Sequence, residues 1–488
     1  RSFVNDIKAD LFDANSVYVA LDNHKEGDYS PYLFKSTDKG MTWKSISSNI
    51  PDRTLVWRIV QDPVKANLLF AATEYGIYTS LNGGTSWQKL PGTPTISFRD
   101  LTIQKRENDL VAASFGRGFF VLDDYSALRE FTSDNLNKEG KLFQPRPAKW
   151  FVQRSNVGNT GADYYFAKNP EYGAVFTYHL SKEYKTQKSQ RQKREKELNK
   201  AGKNVPFPGW DALDAEKQEM PAQVILTIED QQGNVINKVK KKASKGSHRI
   251  AWNLEHFNPF AISMNGRSRR GGGALATPGT YQATLHLEKD GNVTKLDGPI
   301  SFEVKPIREG VLKGAGYAEY NAFRTDLTSF IQQISEVQDK FDQSKKKLKA
   351  LSTAVDRSKL SPGSLEPKIA DLKVAIASVD FMLEGSPSKE EIGERNPSGV
   401  QRYLYNAFDG MGHSYRPTAL HKKSLEIAKS MLVKVETEVD KIVNSMIPKI
   451  EEALKVADAP YISNYPLVLY LKRAPLAVFF LYIWQSGG

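Results

Sequence analysis

Apolar and polar positions follow three different periods along the chain. Up to about residue 131, short apolar runs such as 17–20 and 68–72 are separated by turns rich in Gly, Asp and Ser. Between residues 148 and 306, apolar and polar residues alternate, as in 224–229 and 281–287, which predicts half-buried strands. From Tyr317 onwards, apolar residues recur every three or four positions, which predicts amphipathic helices.

A polar motif recurs at a spacing of 44 residues, reading STDKGMTW at 36–43 and SLNGGTSW at 80–87. Ser and Asp hydrogen-bond the amides of a turn, Gly supplies a positive φ, and Trp fills the space between sheets. We therefore interpret Asp38 as a turn residue and not as a catalytic acid. Asn82 at the matching position agrees, because an amide is neither a general acid nor a general base. The residues to which we assign this structural role are Ser36, Asp38, Gly40, Thr42, Trp43, Ser80, Asn82, Gly84 and Trp87.

The repeat extends beyond this motif. Residues 57–60 resemble 98–101 at a spacing of 41, and 67–73 resemble 108–114. A weaker first copy is stretched by an inserted loop at 22–31. A repeat of this length is typical of propeller blades, and the pattern predicts about three four-stranded blades, the third degenerate.

About three blades cannot close a ring, and an open propeller leaves long strand edges unpaired. We therefore expect an incomplete propeller whose other blades lie upstream in a larger protein. Arg1 in place of an initiator Met agrees with a C-terminal fragment, and no signal-like segment opens the chain.

The residues at 22–25, the first turn motif, 74–78, 116–118 and 121–124 together resemble the bacterial sortilin-like Asp-box propeller proteins. These proteins are commonly labelled glycosyl hydrolases with BNR repeats. The resemblance continues through 172–178, 245–254 and 277–281, so that it covers residues 1–306. The helical remainder is similar to the family only in character.

This resemblance implies an exported protein, periplasmic, extracellular or on the cell surface, that binds glycan or peptide ligands through its propeller. The alternative is an extracellular glycoside hydrolase whose catalytic carboxylates lie mainly in the upstream blades. We favour binding, because Asp boxes mark a fold and not a reaction. A pair of channel-facing Asp residues roughly 6.5 to 9.5 Å apart would instead indicate an inverting hydrolase.

Five side chains are candidates for one mouth of the propeller channel. The 41-residue spacing places Arg58 and Arg99 at equivalent positions near the start of inner strands, while Glu74, Tyr75 and Arg117 fall on connecting turns. Structural ion pairs between arginines and acidic residues are the alternative interpretation of each.

The sequence departs from the family where chemistry could lie. Family members often carry His at the positions of Phe115 and Arg99. The seven histidines are scattered without metal-ligand spacing, so we predict no metal site and no cofactor. Cysteine is absent, which excludes disulfides, thiolate catalysis and Cys-based zinc sites.

The net charge of +12 raises the question of a nucleic-acid partner. Half of this charge lies between Lys182 and Lys203, where nine Lys or Arg residues face three Glu. Tyr184 is the one aromatic residue of that stretch, so we interpret the insertion at about 181–220 as solvated and predict no nucleic-acid binding. Contact with a polyanion or an acidic glycan is the alternative.

The predicted class is thus a multidomain protein, β followed by α. The propeller blades (1–131) lead through a connector (132–147) to an immunoglobulin-like β-sandwich (148–306), a helical bundle (307–456) and an apolar tail (457–488). The Gly-rich tract 266–273 lacks the Lys-Ser/Thr of a phosphate loop. The tail has about nine uninterrupted apolar residues from Leu476, too few to span a bilayer. It is a docking helix, a surface anchor or a translation artefact.

Overall fold

The fold was analysed in a computed structural model, which describes residues 2–153, 167–262, 272–308, 314–412, 415 and 417–462. The chain forms two compact units. The first comprises Arg1–Asn258 and Gly271–Asn321, and the second comprises Pro259–Arg270 and Ala322–Gly488. Within the described residues, strands predominate in the first unit, which also contains three complete α-helices, and helices form the second, which confirms the predicted class of β followed by α.

Three antiparallel sheets begin the first unit, and each follows the order of its strands along the chain. The first sheet contains β1 (Phe3–Ala9), β2 (Val17–Asn23), β3 (Asp28–Ser36) and β4 (Lys44–Ser45). The second contains β5 (Val56–Gln61), β6 (Leu69–Thr73), β7 (Gly76–Ser80) and β8 (Gln88–Lys89). The third contains β9 (Phe98–Gln104), β10 (Asp109–Ser114) and β11 (Phe119–Leu122).

These sheets stack face to face. Leu33 and Ile46 of the first sheet share an apolar cluster with Ile59 and Trp87 of the second. A separate cluster joins Phe70 and its neighbours to the third sheet. Each sheet therefore buries a face against the next one, as expected of part of a propeller.

Both repeated turns contain the same side-chain hydrogen bonds. The Ser36 hydroxyl accepts from the amide of Gly40 at 2.9 Å, and Ser80 accepts from Gly84 at 2.8 Å. Asp38 accepts from the Thr42 hydroxyl at 2.6 Å and from its amide at 2.8 Å. These bonds lower the pKa of Asp38 to about 2, which suits a fixed turn anion and not a proton donor.

The two motif tryptophans differ in environment. Trp87 is 2% exposed, and its indole donates to the carbonyl oxygen of Ile46 in the first sheet at 2.6 Å. Asn49 brackets its backbone, donating to the Trp87 oxygen and accepting from its amide. Trp43 is 46% exposed, because no described sheet covers it as the first sheet covers Trp87. Trp87 thus fills a space between two sheets, whereas the same role for Trp43, which no described sheet faces, stays a prediction.

Two further sheets face each other across one core. The smaller contains β12 (Gly140–Leu142), β14 (Ala174–Leu180) and β17 (Gly246–Trp252). The larger contains β13 (Ala148–Trp150), β15 (Gln223–Glu229), β16 (Val235–Lys242), β18 (Gly279–Lys289) and β19 (Asn292–Pro306). Phe176 and Trp252 of the smaller sheet pack with Phe302 of the larger. The alternating runs thus form a β-sandwich, and its immunoglobulin-like character stays a prediction.

A buried ion pair joins the third sheet's last turn to the second sheet. Asp62 is fully buried and accepts from Arg129 at 2.8 Å and from the Tyr125 hydroxyl at 2.8 Å. It also accepts from the amide of Lys65. Burial alone would raise the pKa of Asp62, but these donors together lower it.

Nine α-helices lie within the described residues. They are α1 (Ser133–Asn137), α2 (Gln187–Lys200), α3 (Trp210–Gln218), α4 (Tyr317–Asp356), α5 (Glu366–Glu384), α6 (Pro387–Glu391), α7 (Val400–Asp409), α8 (Ala419–Lys441) and α9 (Ile447–Val456). In the second unit, α5, α7 and α8 contact one another around residues such as Val379, Leu404 and Leu432. The helical region predicted from periodicity is confirmed.

Helices α8 and α9 are joined by one turn of π-helix, Ile442–Met446. Pro448 follows this turn and lacks an amide hydrogen, so the series of α-helical hydrogen bonds is interrupted there and the helix widens over one turn. No helix among the described residues is both long and apolar enough to cross a membrane. The apolar tail from residue 463 and most of the Gly-rich tract lie outside the described residues.

The two tryptophans provide a matched test of sheet stacking. Trp87→Ala should lower the free energy of unfolding by about 3 to 5 kcal/mol, because it removes a buried ring and leaves the Ile46 carbonyl without its donor. Trp43→Ala should cost less than about 1 kcal/mol. Urea denaturation followed by circular dichroism measures both. Equal losses in the two variants would contradict the stacking.

A second prediction concerns Asp62. Asp62→Asn should destabilise the protein by about 3 to 5 kcal/mol at pH 7, since Arg129 is left buried without its partner. Because the pKa of Asp62 is lowered in the folded state, its contribution is present above the unfolded value near 4 and lost as pH falls through the folded value. The difference from the parent should therefore shrink below pH 4. The exposed Asp52→Asn is the control, and a difference independent of pH would contradict the assignment.

Candidate functional site

A β-bulge interrupts the inner strand of each of the three stacked sheets. Asn5 in β1, Trp57 in β5 and Arg99 in β9 are the extra residues, since the pairing skips each of them. Bulges occur often next to functional sites because they redirect a side chain. The bulge is thus a property of the repeat, and in each of the three stacked sheets it turns one residue out of the regular pleat.

The residues that follow the bulges form an ionic line. Asp6, Arg58 and Asp100 pair with Ala20, Ala72 and Ala113 on the neighbouring strands. Arg58 lies 3.5 Å from Asp6 and 3.1 Å from Asp100. This line joins the three inner strands.

The strand register changes the alignment of the repeat. Arg58 is equivalent to Asp100, and Trp57 is equivalent to Arg99. Our expectation that Arg58 and Arg99 occupy equivalent positions is therefore wrong by one residue. The spacing is 42 between β5 and β9 (100 − 58) and 41 between β6 and β10 (113 − 72), because the connection from β9 to β10 is one residue shorter than that from β5 to β6. Arg58 forms ion pairs with Asp6 and Asp100, which agrees with the alternative interpretation of this arginine as a structural residue.

Glu74 and Arg99 meet at one end of the sheets. The Glu74 carboxylate accepts from the Trp57 indole and from the Ser97 hydroxyl, each at 2.9 Å, and lies 3.8 Å from the Arg99 guanidinium. Arg99 stacks on the Trp57 ring with 3.6 Å between its Cζ and the ring centroid, and Phe115 lies 5.2 Å away on the same basis. We call Trp57, Glu74, Ser97, Arg99 and Phe115 the rim cluster.

Exposed rings adjoin the rim cluster. Phe115 is 72% exposed, and Tyr75, next to Glu74 in the turn between β6 and β7, is 46% exposed. His24 meets the edge of Trp57 and contacts the Asp22 carboxylate. Arg117 lies in the exposed turn between β10 and β11, and no described ion pair joins it to the cluster. The sequence analysis did not select Trp57 and Ser97 as site residues. The only sign of an irregularity was that the repeat has two different spacings, 41 and 44 residues.

This arrangement suits binding more than proton transfer. The Trp57 ring is itself buried at 7% exposure, and it holds the Arg99 guanidinium and the Glu74 carboxylate in place. The exposed rings of Phe115 and Tyr75 offer flat apolar surface, and the two charged groups beside them offer polar atoms of fixed direction. No group of three or more possible metal ligands occurs among the described residues. The rim cluster can therefore hold a ligand that has both apolar faces and hydroxyl groups.

A pocket of about 620 Å³ lies between the third sheet and the sandwich. Asp123 and Glu171 contribute carboxylates, Phe151 and Tyr172 contribute rings, and Arg146 is one of four basic residues in the wall. No local sequence pattern indicates this pocket, because its residues come from connectors and from strands far apart in the chain.

Asp123 has an unfavourable charge in this pocket. Burial, followed by repulsion from Asp109, raises its pKa despite the nearby Arg146 and Arg249 guanidinium groups. Arg249 donates to the backbone oxygens of Asp123 and Asp124, and its guanidinium offsets the carboxylate charge only in part. A carboxyl with a raised pKa in a pocket is a candidate acid or hydrogen-bond donor.

No family model matches the chain. A xyloglucanase from Acetivibrio thermocellus is 29% identical over 102 residues, which cover 19% of this chain and 12% of the enzyme. The chain thus spans about an eighth of the length of this curated relative.

Solved structures with likeness to the chain include three GH74 proteins. The enzyme from Niastella koreensis is 12% identical over 25% of this chain and 29% of its own, with a TM-score of 0.21. An ancestral GH74 enzyme is 17% identical over 61% and 32%, and the xyloglucanase from Xanthomonas campestris is 11% identical over 60% and 38%, both with a TM-score of 0.21. The chain spans well under half of each.

The unfavourable charge of Asp123 can be tested by measuring the free energy of unfolding. Because the pKa of Asp123 is raised in the folded state, its charge opposes folding above the unfolded pKa near 4. Asp123→Asn should therefore raise the free energy of unfolding at pH 7 by about 0.5 to 1 kcal/mol, and the gain should vanish near pH 3. Denaturant titrations at several pH values measure this.

The neighbouring Asp124 is the matched control. Its carboxylate accepts from the Ser126 hydroxyl at 2.6 Å and from the Ser126 amide, so Asp124→Asn should give no gain. A loss of stability in Asp123→Asn at pH 7 would show that the carboxylate is compensated and would contradict the assignment.

Proposed function

We propose that the first unit is part of a β-propeller that binds glycans at the rim cluster. The single observation that carries the proposal is the contact between sheets at the bulges: Trp57 of the second sheet lies under Arg99 of the third, and Glu74 fixes the indole. Sugar rings present apolar faces and hydroxyl edges, and the cluster offers the exposed Phe115 ring together with the charged groups of Arg99 and Glu74.

The outer faces of the three-sheet stack support the incomplete propeller. Trp43 is half exposed on one outer face, and Phe119 and Val121 are exposed on the other. We propose that further sheets of the same kind cover these faces and extend the rim, as in a complete propeller of the sortilin-like Asp-box proteins. Export to the periplasm, the cell surface or the medium belongs to the same proposal.

Glycoside hydrolysis is the second candidate, favoured by the 29% identity with a xyloglucanase over 102 residues. Asp123, with its raised pKa, is one carboxyl in the described structure with the character of a general acid. Asp38 and Asp62 do not qualify, because hydrogen bonds lower the pKa of each. Peptide binding remains the alternative for the same rim.

Xyloglucan oligosaccharides are the first probe, with mass spectrometry of the same samples to detect cleavage. Phe115→Ala and Tyr75→Ala should each weaken binding about 10-fold to 100-fold, because each removes exposed ring surface at the rim. Glu74→Gln should weaken it less, since the amide oxygen can still accept from the indole. Isothermal titration calorimetry measures the affinities.

Phe12→Ala is the control, because Phe12 is an aromatic residue of similar exposure, 50%, outside the rim cluster. It should leave affinity unchanged. Intact oligosaccharides at saturation support the binding role, and products that disappear in Asp123→Asn support hydrolysis. Unchanged affinity in Phe115→Ala and Tyr75→Ala would overturn the rim as the binding surface.

A further inference from the structure

Helices α2 and α3 form a two-helix arm between β14 and β15. No residue of either helix is buried. Arg191 joins them, donating from Nε and Nη2 to the two oxygens of Glu216 at 2.6 and 2.7 Å and from Nη1 to Glu195 at 2.6 Å. Bidentate pairs of this kind fix orientation, so the arm is held by charge and not by a core of its own.

The connection between the two helices presents apolar side chains at the tip of the arm. Trp210 is 74% exposed, Phe207 is 61% exposed, and their rings meet edge to face at 5.0 Å. Val205 is exposed beside them. Pro206 and Pro208 flank Phe207 and fix two backbone φ angles, so that presenting these rings requires little ordering. Exposed rings of this size indicate a contact surface.

The side of α2 that faces away from α3 is basic. Lys193, Lys196 and Lys200 recur at i, i+3 and i+7, which places them on one exposed face opposite Arg191. Lys203 follows at the base of the tip. Lys193 also lies 3.8 Å from Glu197, whereas no ion pair of Lys196, Lys200 or Lys203 occurs among the described residues.

The acidic residues of α2, Glu195 and Glu197, lie beside Arg191 and Lys193, whereas those of α3 include exposed carboxylates. Asp211 and Asp214 are exposed on α3, and Asp214 pairs with Lys217 at 2.8 Å. A negatively charged surface would therefore meet the arm on its α2 side, with Lys200 and Lys203 close to the rings.

We propose that the tip of this arm binds the surface of an anionic lipid bilayer. Trp and Phe rings are favoured at the boundary between headgroups and acyl chains, and lysines near that boundary are attracted to anionic headgroups. A convex tip with rings pointing outward fits a deformable surface. A dissolved polyanion would use the lysines and leave the rings exposed.

The position of the lysines along α2 distinguishes binding to a bilayer from binding to a dissolved polyanion. Lys188 lies twelve residues before Lys200, or about 18 Å along the helix, beyond the Debye length of roughly 8 Å at physiological salt. A bilayer approached by the tip therefore attracts Lys200 and Lys203 much more than Lys185 and Lys188. A polyanion lying along the helix attracts both pairs equally.

The experiment is co-sedimentation of the full chain with vesicles of phosphatidylglycerol and phosphatidylcholine, compared with phosphatidylcholine alone. The parent should partition onto the anionic vesicles. The double variant Phe207→Ala/Trp210→Ala should partition at least about tenfold less than the parent. The double variant Lys200→Gln/Lys203→Gln should partition roughly tenfold less than the parent. Trp210→Phe should retain partitioning, because it keeps a ring.

The matched charge control is Lys185→Gln/Lys188→Gln, which should change partitioning by less than about threefold. Circular dichroism should show the same fold in every variant, because the arm has no buried residue. Equal effects of the two lysine pairs, retention in the double aromatic variant, or binding to dextran sulfate without binding to vesicles would each overturn the proposal.

Discussion

The hydrogen bond from the Trp87 indole to the Ile46 carbonyl joins two sheets whose facing apolar side chains form one core. It depends on a turn in which Ser80 and Asn82 hold the backbone, and in which Gly84 has a φ of +90°. A Cβ on Gly84 would lie 2.9 Å from the Ile46 side chain, so the sheets can approach this closely only at glycine. The second copy of the repeated motif therefore stacks the second sheet on the first.

Stacking at this distance brings the inner strands into line, and their bulges then define the candidate site. Each bulge turns a side chain out of the pleat, and the turned residues are Asn5, Trp57 and Arg99. Arg58 ties the strands together directly beside them. The rim cluster thus follows from the same repeat that makes the core, with different side chains placed at one repeated position.

Much of this architecture could be predicted from the sequence, because turn chemistry and hydrophobic period are local signals. The turn motif predicted stacked sheets, the alternation at 224–229 predicted sandwich strands, and the period after Tyr317 predicted helices. The bulges could not be predicted, since an extra residue shifts the register by one without changing composition. Asp123 and the pocket around it were also missed, because a pocket assembled from distant segments leaves no local pattern. The exposure of Trp43 depends on a neighbouring sheet and not on its own motif.

Hydrogen exchange of the full chain, measured by mass spectrometry with and without saturating xyloglucan oligosaccharides, tests the central claim most directly. We expect exchange to slow in the turn between β6 and β7, at the start of β9 and in the turn between β10 and β11, where Glu74, Arg99 and Phe115 lie. Slower exchange confined to the sandwich or to the pocket around Asp123, with no change in those turns, would contradict the account.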